Sequence, residues 1–202
     1  MIDQLKSAIC KTVKQFQEHP LDFLSESDIQ ALLFVELRSA TNEVLYTYTA
    51  EPANRLFGFT DPFSIHPVTT EYHVSEGKFD IAVLSEKPDS EEAIWRQPCC
   101  IGIEIKLWQP REREPKYLLD VEKLQRYQAK LQTKGREFMG IAMLFVHPYG
   151  TAKPTAITEE KSGDCYPENG IALHLIKKEG HWWKQFAAPS VLEQGALVDQ
   201  TL

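Results

Sequence analysis

Two apolar segments of this chain carry charged residues in their interiors, and this combination most constrains what the chain can fold into. The segments are Lys78–Leu84 and Cys99–Trp108, both rich in β-branched and aliphatic residues, which predicts a buried strand for each. Because side chains alternate along a strand, Glu104 and Lys106 share one face, opposite the isoleucines. Asp80 interrupts the first segment in the same way. Charges inside core strands are costly unless they are paired or bind a metal, so we expect chemistry here.

The bulk composition is that of an ordinary globular domain. The chain has 202 residues, of which 43% are hydrophobic and 25% are charged, which predicts one domain over residues 1–202. No apolar run approaches the roughly 20 residues of a membrane helix, so we expect no membrane partner. The N-terminus has no signal-like apolar core and the four cysteines show no Cys-x-x-Cys spacing. These features predict a reduced, cytoplasmic protein.

The charge is unevenly distributed along the chain. The net charge is −7, which by itself argues against a protein that coats nucleic acid. Residues 106–136, however, hold nine Lys and Arg against four Asp and Glu, a balance of +5 that leaves −12 for the rest. A basic segment on an acidic body predicts a localised binding face.

Periodicity and turn residues predict the order of the elements. A helix covers about Ile2–Phe16 and ends before Pro20, and a second begins at Ser25, where Ser25 and Asp28 form a capping box. The remaining predictions are strands at about 44–49, 69–74, 78–84, 99–108 and 139–146, a helix at 117–133, a hairpin at 171–177 and 182–187, and loops at 52–67, 85–98 and 108–116. A tight turn is expected at Glu76-Gly77. This order predicts an α/β sandwich with helices on a mixed sheet.

The order of charges and elements resembles the PD-(D/E)XK nuclease superfamily, which includes restriction endonucleases, Holliday-junction resolvases and RecB-type nuclease domains. The resemblance covers about residues 25–146 and rests on one set of residues: Glu26, then Asp80, then Glu104-x-Lys106 after a gap of 24 residues, then Asp120, Leu124 and Tyr127. Phe79 stands where the family has proline. The resemblance implies a restriction-endonuclease-like three-layer sandwich with its core at about 25–147, an additional N-terminal helix and a C-terminal β-hairpin.

The resemblance also implies a magnesium-dependent deoxyribonuclease, with Mn²⁺ as an alternative ion. Hydrolysis of a phosphodiester needs neutralised charge and an activated water, and Mg²⁺ prefers hard oxygen ligands. Asp80, Glu104 and Lys106 are the predicted catalytic residues. Asp80 and Glu104, with the Ile105 carbonyl by resemblance and Glu26 as an additional or water-mediated ligand, are the predicted metal site. The role of Lys106 is open between orienting or deprotonating water and stabilising the phosphate.

We expect DNA as the partner. Lys123, Arg126, Lys130 and Lys134 recur at helical spacing and predict a basic stripe opposite the buried face of their helix, although such a stripe can also be a solvated surface. Lys78 shares a strand face with Asp80 and is a further candidate phosphate contact.

Two alternatives stay open. The charged residues can form a buried ion-pair cluster without catalysis, and the protein can be a catalytically silent or partner-dependent binding module on the nuclease fold. Double-strand cleavage favours a homodimer, whereas the acidic body favours a protein partner in a larger complex.

Overall fold

A computed structural model describes residues 2–42, 44–48, 63–86, 96–108, 117–146, 171–177 and 180–186. The helices are α1 (Ile2–Glu18), α2 (Glu26–Ala40) and α3 (Tyr117–Thr133), with a short 3₁₀ turn at Pro20–Asp22. The strands are β1 (Tyr46–Tyr48), β2 (Phe63–Ile65), β3 (Val68–Val74), β4 (Gly77–Leu84), β5 (Cys99–Trp108), β6 (Met139–Val146), β7 (Ile171–Lys177) and β8 (Gly180–Phe186). The predicted loops at 52–67, 85–98 and 108–116 lie largely outside the described residues, but the loop prediction is wrong for Phe63–Ile65, which form β2 because they pair with β1.

The described strands form one mixed sheet and one small antiparallel pair. The main sheet has six strands in the order β3-β4-β5-β6-β7-β8, and β1 pairs with β2 separately. Strands β5 and β6 are parallel, while the other neighbours in the main sheet are antiparallel. The predicted α/β class with a mixed sheet is confirmed.

Helices cover both faces of the sheet because each face is apolar. On one face, α1 and α2 pack against side chains such as Ile103 and Phe145. On the other face, α3 contributes Leu124 and Tyr127 to a second cluster that contains Phe79. Three layers therefore enclose two cores, one on each side of the sheet.

The strands and helices with clear periodicity lie where the sequence predicts them. The structure confirms the predicted bounds of β5, α3, β6 and β7, and the capping box of α2 between Ser25 and Asp28 is present. The second hairpin strand begins earlier than predicted, at Gly180. The predicted turn at Glu76-Gly77 is shifted by one residue, because Gly77 is already the first residue of β4 and pairs with Val74.

Two further features bear on the chain as a whole. The cysteines at 10, 99 and 100 are free thiols in the part of the chain that the structure describes. Within the described ranges, every helix is too short or too polar to cross a membrane.

Candidate active site

The candidate site begins where β4 and β5 separate. The regular pairing of these strands reaches Ile81 opposite Ile103. One residue further along β4, the Asp80 side chain replaces the backbone pairing, and its Oδ2 accepts the backbone N–H of Ile105 at 2.7 Å. Because the N–H and C=O of a strand residue point to the same edge, the Ile105 carbonyl oxygen also turns toward β4. A carboxylate and a backbone carbonyl therefore meet at the opening between the two strands.

A backbone irregularity in β3 and β4 sets the direction of Asp80. Glu71 lies in β3 with a positive φ of 54°, between the pairs Thr70–Ile81 and Tyr72–Phe79. In a regular strand Phe79 and Ile81 would share a face, yet Ile81 packs with α1 and α2 while Phe79 packs under α3. The regular alternation of side chains between the two faces of the sheet is therefore interrupted at Asp80. A left-handed glutamate is strained, and such strain persists only where the surroundings hold it.

Gln30 is the residue that holds this irregularity in place. From α2, its Nε2 donates to the backbone carbonyl of Asp80 at 2.7 Å and to Glu71 Oε1 at 2.9 Å. The Glu71 carboxylate also accepts a hydrogen bond from Lys78. These bonds lower the pKa of Glu71. One amide from the helix layer therefore fixes both the strained residue and the strand that carries Asp80.

Glu104 is the most buried charged group of the site. Its side chain is only 4% exposed, and its Oε1 lies 2.7 Å from Lys123 Nζ. This ion pair with Lys123 is the contact that compensates the charge of the buried Oε1. Burial, followed by the negative charge of Asp80, raises the pKa of Glu104 to about 8, although Lys123 opposes the shift. Burial also raises the pKa of Asp80, against the hydrogen bond from Ile105.

Lys106 lies between two carboxylates from different helices. Its Nζ donates to Glu26 Oε2 at 3.0 Å and lies 3.8 Å from Asp120 Oδ2. Glu26 is placed by the first turn of α2, and its second oxygen accepts the N–H of Leu107 at 3.4 Å. Burial lowers the pKa of Lys106, but the bond to Glu26 and the charge of Asp120 outweigh it, so the pKa is raised. Lys106 is therefore a cation at neutral pH.

The charged cluster, as we define it, comprises four carboxylates and two ammonium groups: Glu26, Asp80, Glu104, Asp120, Lys106 and Lys123. Fully ionised, it carries a net charge of −2. Asp120 is 16% exposed, its pKa is raised by burial, and its Oδ2 is a buried oxygen with no hydrogen-bond partner. Burial is the main cause of the raised pKa at Asp80, Glu104 and Asp120, and repulsion from a neighbouring carboxylate adds to it at each of the three acids.

The charged cluster has oxygen donors suited to a hard divalent cation, but few of them converge. Among the described residues, no three His, Cys, Asp or Glu side chains are arranged to hold a metal ion. Mg²⁺ usually keeps several waters and takes only one or two carboxylates, with substrate phosphate completing its shell. Two acids and the Ile105 carbonyl therefore fit Mg²⁺ better than an ion such as Ca²⁺ that needs a fuller set of protein ligands.

The structure brings five predicted site residues together, and it places a sixth, Lys123, where the sequence did not predict it. Glu26, Asp80, Glu104, Ile105 and Lys106 meet as described above. The prediction that Lys123 belongs to an exposed stripe is wrong, because its side chain is only 16% exposed.

An ion pair, a hydrogen bond and a ring contact hold the Lys123 side chain in this partly buried position. Besides its ion pair with Glu104, its Nζ donates to the backbone carbonyl of Lys78 at 2.8 Å and lies 5.9 Å from the centre of the Phe79 ring. Lys123 is therefore a structural part of the charged cluster.

The other predicted nucleic-acid contacts lie on the surface around the site. Lys78 pairs with Glu71, and Arg126 lies 3.7 Å from Glu122 on the same helix. Lys130 contacts Ser75 and lies 3.8 Å from Glu76, and Lys134 is exposed. Their role in binding DNA stays a prediction.

Sequence reasoning missed Gln30 and the site role of Asp120. The helical spacing of 120, 123 and 127 on α3 was the available signal for Asp120 and Lys123, since Tyr127 is buried. No pattern in the sequence marked Gln30.

Comparison with known proteins finds no match among protein-family models, curated proteins or solved structures.

Proposed function

We propose that this protein is a metal-dependent nuclease of the PD-(D/E)XK type, with a restriction-endonuclease-like fold, that hydrolyses phosphodiester bonds in DNA. The observation that carries the proposal is the buried Glu104 carboxylate in a cluster of four carboxylates and only two ammonium groups. A bound Mg²⁺ or Mn²⁺ would supply the missing positive charge. Structural ion pairs rarely repay the cost of burying an excess of like charges, which favours a functional reason for the cluster.

The chain offers a ligand set for that ion. Asp80, Glu104 and the Ile105 carbonyl would hold it, with Glu26 as an additional or water-mediated ligand. When bound, the ion would neutralise phosphate charge and lower the pKa of a coordinated water. The strained backbone at Glu71, held by Gln30, keeps the Asp80 carboxylate directed toward β5.

The proposed role of Lys106 is that of a cation rather than a base. Its pKa is raised because Glu26 and Asp120 stabilise the ammonium form. A protonated Lys106 can orient the attacking water or stabilise the negative charge that develops on the phosphate, but it cannot accept a proton. We therefore assign it to charge stabilisation.

A plasmid-cleavage assay tests the proposal. The purified protein should cut supercoiled DNA with Mg²⁺ or Mn²⁺ and should stop when EDTA is added. Glu104→Gln, Asp80→Asn and Lys106→Ala should each reduce the rate by about 100-fold or more. Glu122→Gln, which changes an exposed carboxylate on α3, is the matched control and should cut normally. Equal cleavage by Glu104→Gln and the control would overturn the assignment.

One observation favours a second candidate, a binding module without catalysis. Both cluster lysines already pair with carboxylates, at 2.7 Å for Lys123 and 3.0 Å for Lys106. Because the two lysines already neutralise carboxylates of the cluster, the site need not bind an ion. The function would then depend on binding a protein partner or a second copy of the chain. Calorimetric titration separates the two candidates, because only the nuclease predicts a Mg²⁺ or Mn²⁺ site that Asp80→Asn removes.

A further inference from the structure

A groove runs along the sheet edge beside the charged cluster. It has a volume of about 800 Å³ and lies between β3 and the second half of α3. Glu71–Ser75 form one wall, and Tyr127, Lys130, Leu131 and Lys134 form the other. Arg96, Pro98 and Arg136 complete the lining.

The walls of this groove are strongly basic for so acidic a chain. Arg96, Lys130, Lys134 and Arg136 line it, whereas the chain as a whole carries −7. Glu71 is the acidic lining residue, and its carboxylate is already paired with Lys78. In the described part of the chain, Arg96 and Lys134 are exposed and have no ion-pair partner. Among the described residues, Arg96 and Lys134 therefore give the groove two exposed positive charges that no ion pair neutralises.

Two tyrosine rings in the walls of the groove are buried. Tyr72 is 8% exposed and Tyr127 is 5% exposed, so neither ring is available for a base to stack on. The Tyr72 hydroxyl donates to the Gln97 carbonyl, and Tyr127 Oη accepts the N–H of Cys99. A ligand in this groove would therefore meet cations but could not stack on either tyrosine ring, which suits phosphate contacts better than base stacking.

The groove is linked to the charged cluster through Glu71. Glu71 is one of its lining residues, and Gln30 links the Glu71 carboxylate to the backbone of Asp80 through hydrogen bonds of 2.9 and 2.7 Å. A polyanion lying in the groove would continue past Glu71 to the opening between β4 and β5.

We propose that this groove binds the sugar–phosphate backbone of DNA independently of sequence and thereby positions the strand that the cluster cuts. Only the last part of this inference, the positioning of the strand that is cut, rests on the proposed function. It assigns the backbone contacts to Arg96, Lys130, Lys134 and Arg136, and it excludes Lys123 from them.

Salt-dependent binding tests the groove without requiring cleavage. The probe is a fluorescein-labelled DNA duplex, titrated in EDTA between 50 and 200 mM salt and followed by anisotropy. The variant Arg96→Ala/Lys134→Ala removes two exposed cations of the groove. The matched control Lys11→Ala/Lys14→Ala removes two exposed cations of α1, in the opposite helix layer.

The groove variant should bind more weakly, and its dependence of log K on log salt should be shallower by about 1.8, or 0.9 for each lost contact. Between 50 and 200 mM salt, the groove variant should therefore lose about tenfold less affinity than the wild type does. The control should keep the wild-type slope, and two unrelated DNA sequences should bind alike.

Three results would overturn the inference: wild-type slopes in the groove variant, equal losses in both variants, or competition by polyglutamate as effective as that by DNA. Failure of the nuclease proposal looks different. In that case the groove variant would still lose binding, but plasmid cleavage would be absent or would survive Glu104→Gln.

Discussion

Replacing Glu104 by glutamine should remove a large pH dependence of stability. The pKa of Glu104 is raised from 4.5 to about 8, chiefly by burial. The folded chain therefore holds this proton more tightly than the unfolded chain does. The associated stability is fully present below pH 4.5 and is lost as the pH rises to about 8. At 1.36 kcal/mol per pH unit, the loss amounts to about 5 kcal/mol. This is a large share of the 5–15 kcal/mol typical of a domain.

Urea unfolding followed by circular dichroism, at stepped pH values in EDTA, measures this loss. The free energy of unfolding of the wild type should fall relative to that of Glu104→Gln by several kcal/mol between pH 5 and 8. Glu122→Gln should follow the wild type, because its carboxylate is exposed. Parallel curves for the wild type and Glu104→Gln would refute the claim that Glu104 is buried and poorly compensated.

Adding Mg²⁺ extends the same experiment to the metal. At pH 8 an ion that binds the ionised Glu104 in the folded state should restore stability, by about 2.7 kcal/mol at an ion concentration 100 times Kd. The wild type should gain and Glu104→Gln should not. An equal gain in both proteins would place any ion elsewhere.

Three other substitutions have outcomes set by single contacts. Gly102→Ala should cost about 1–3 kcal/mol of stability in urea unfolding, because a Cβ there would lie 2.9 Å from the Phe79 and Phe138 rings. An unchanged midpoint would mean that the rings are free to move. Leu33→Ala should cost about 2–5 kcal/mol, since Leu33 is fully buried under the sheet. Lys123→Met should raise the pKa of Glu104 further, as seen in the carboxyl carbon signal by NMR, because it removes the cation 2.7 Å away. A lower pKa would contradict the pairing.

Much of the architecture follows from local pattern. The bounds of β5, α3 and β6 were predictable because each element has a sustained apolar period and an adjacent breaker, such as Gly135 with its φ of 67° after α3. Strand alternation likewise placed Glu104 opposite Ile103 and Ile105, which pack with α1 and α2.

The site was less predictable because its completion depends on tertiary contacts. Lys123 reads as surface on its helix, yet the close approach of α3 to the sheet buries it against Glu104. Gln30 acts through a hydrogen bond to a residue 50 positions later. The left-handed Glu71 carries no sequence signal, since glutamate rarely adopts this backbone conformation.

The left-handed residue also bears on how copies of this protein can associate. Among the strands that the structure describes, β3 is the outermost at its side of the sheet, where unpaired N–H and C=O groups favour pairing with a neighbour. The left-handed conformation of Glu71 interrupts the row of edge N–H and C=O groups in the middle of β3, so that only three regular residues remain on either side. A strand from another copy of the protein therefore finds no continuous row of backbone groups to pair with, which protects the molecule from polymerising edge to edge.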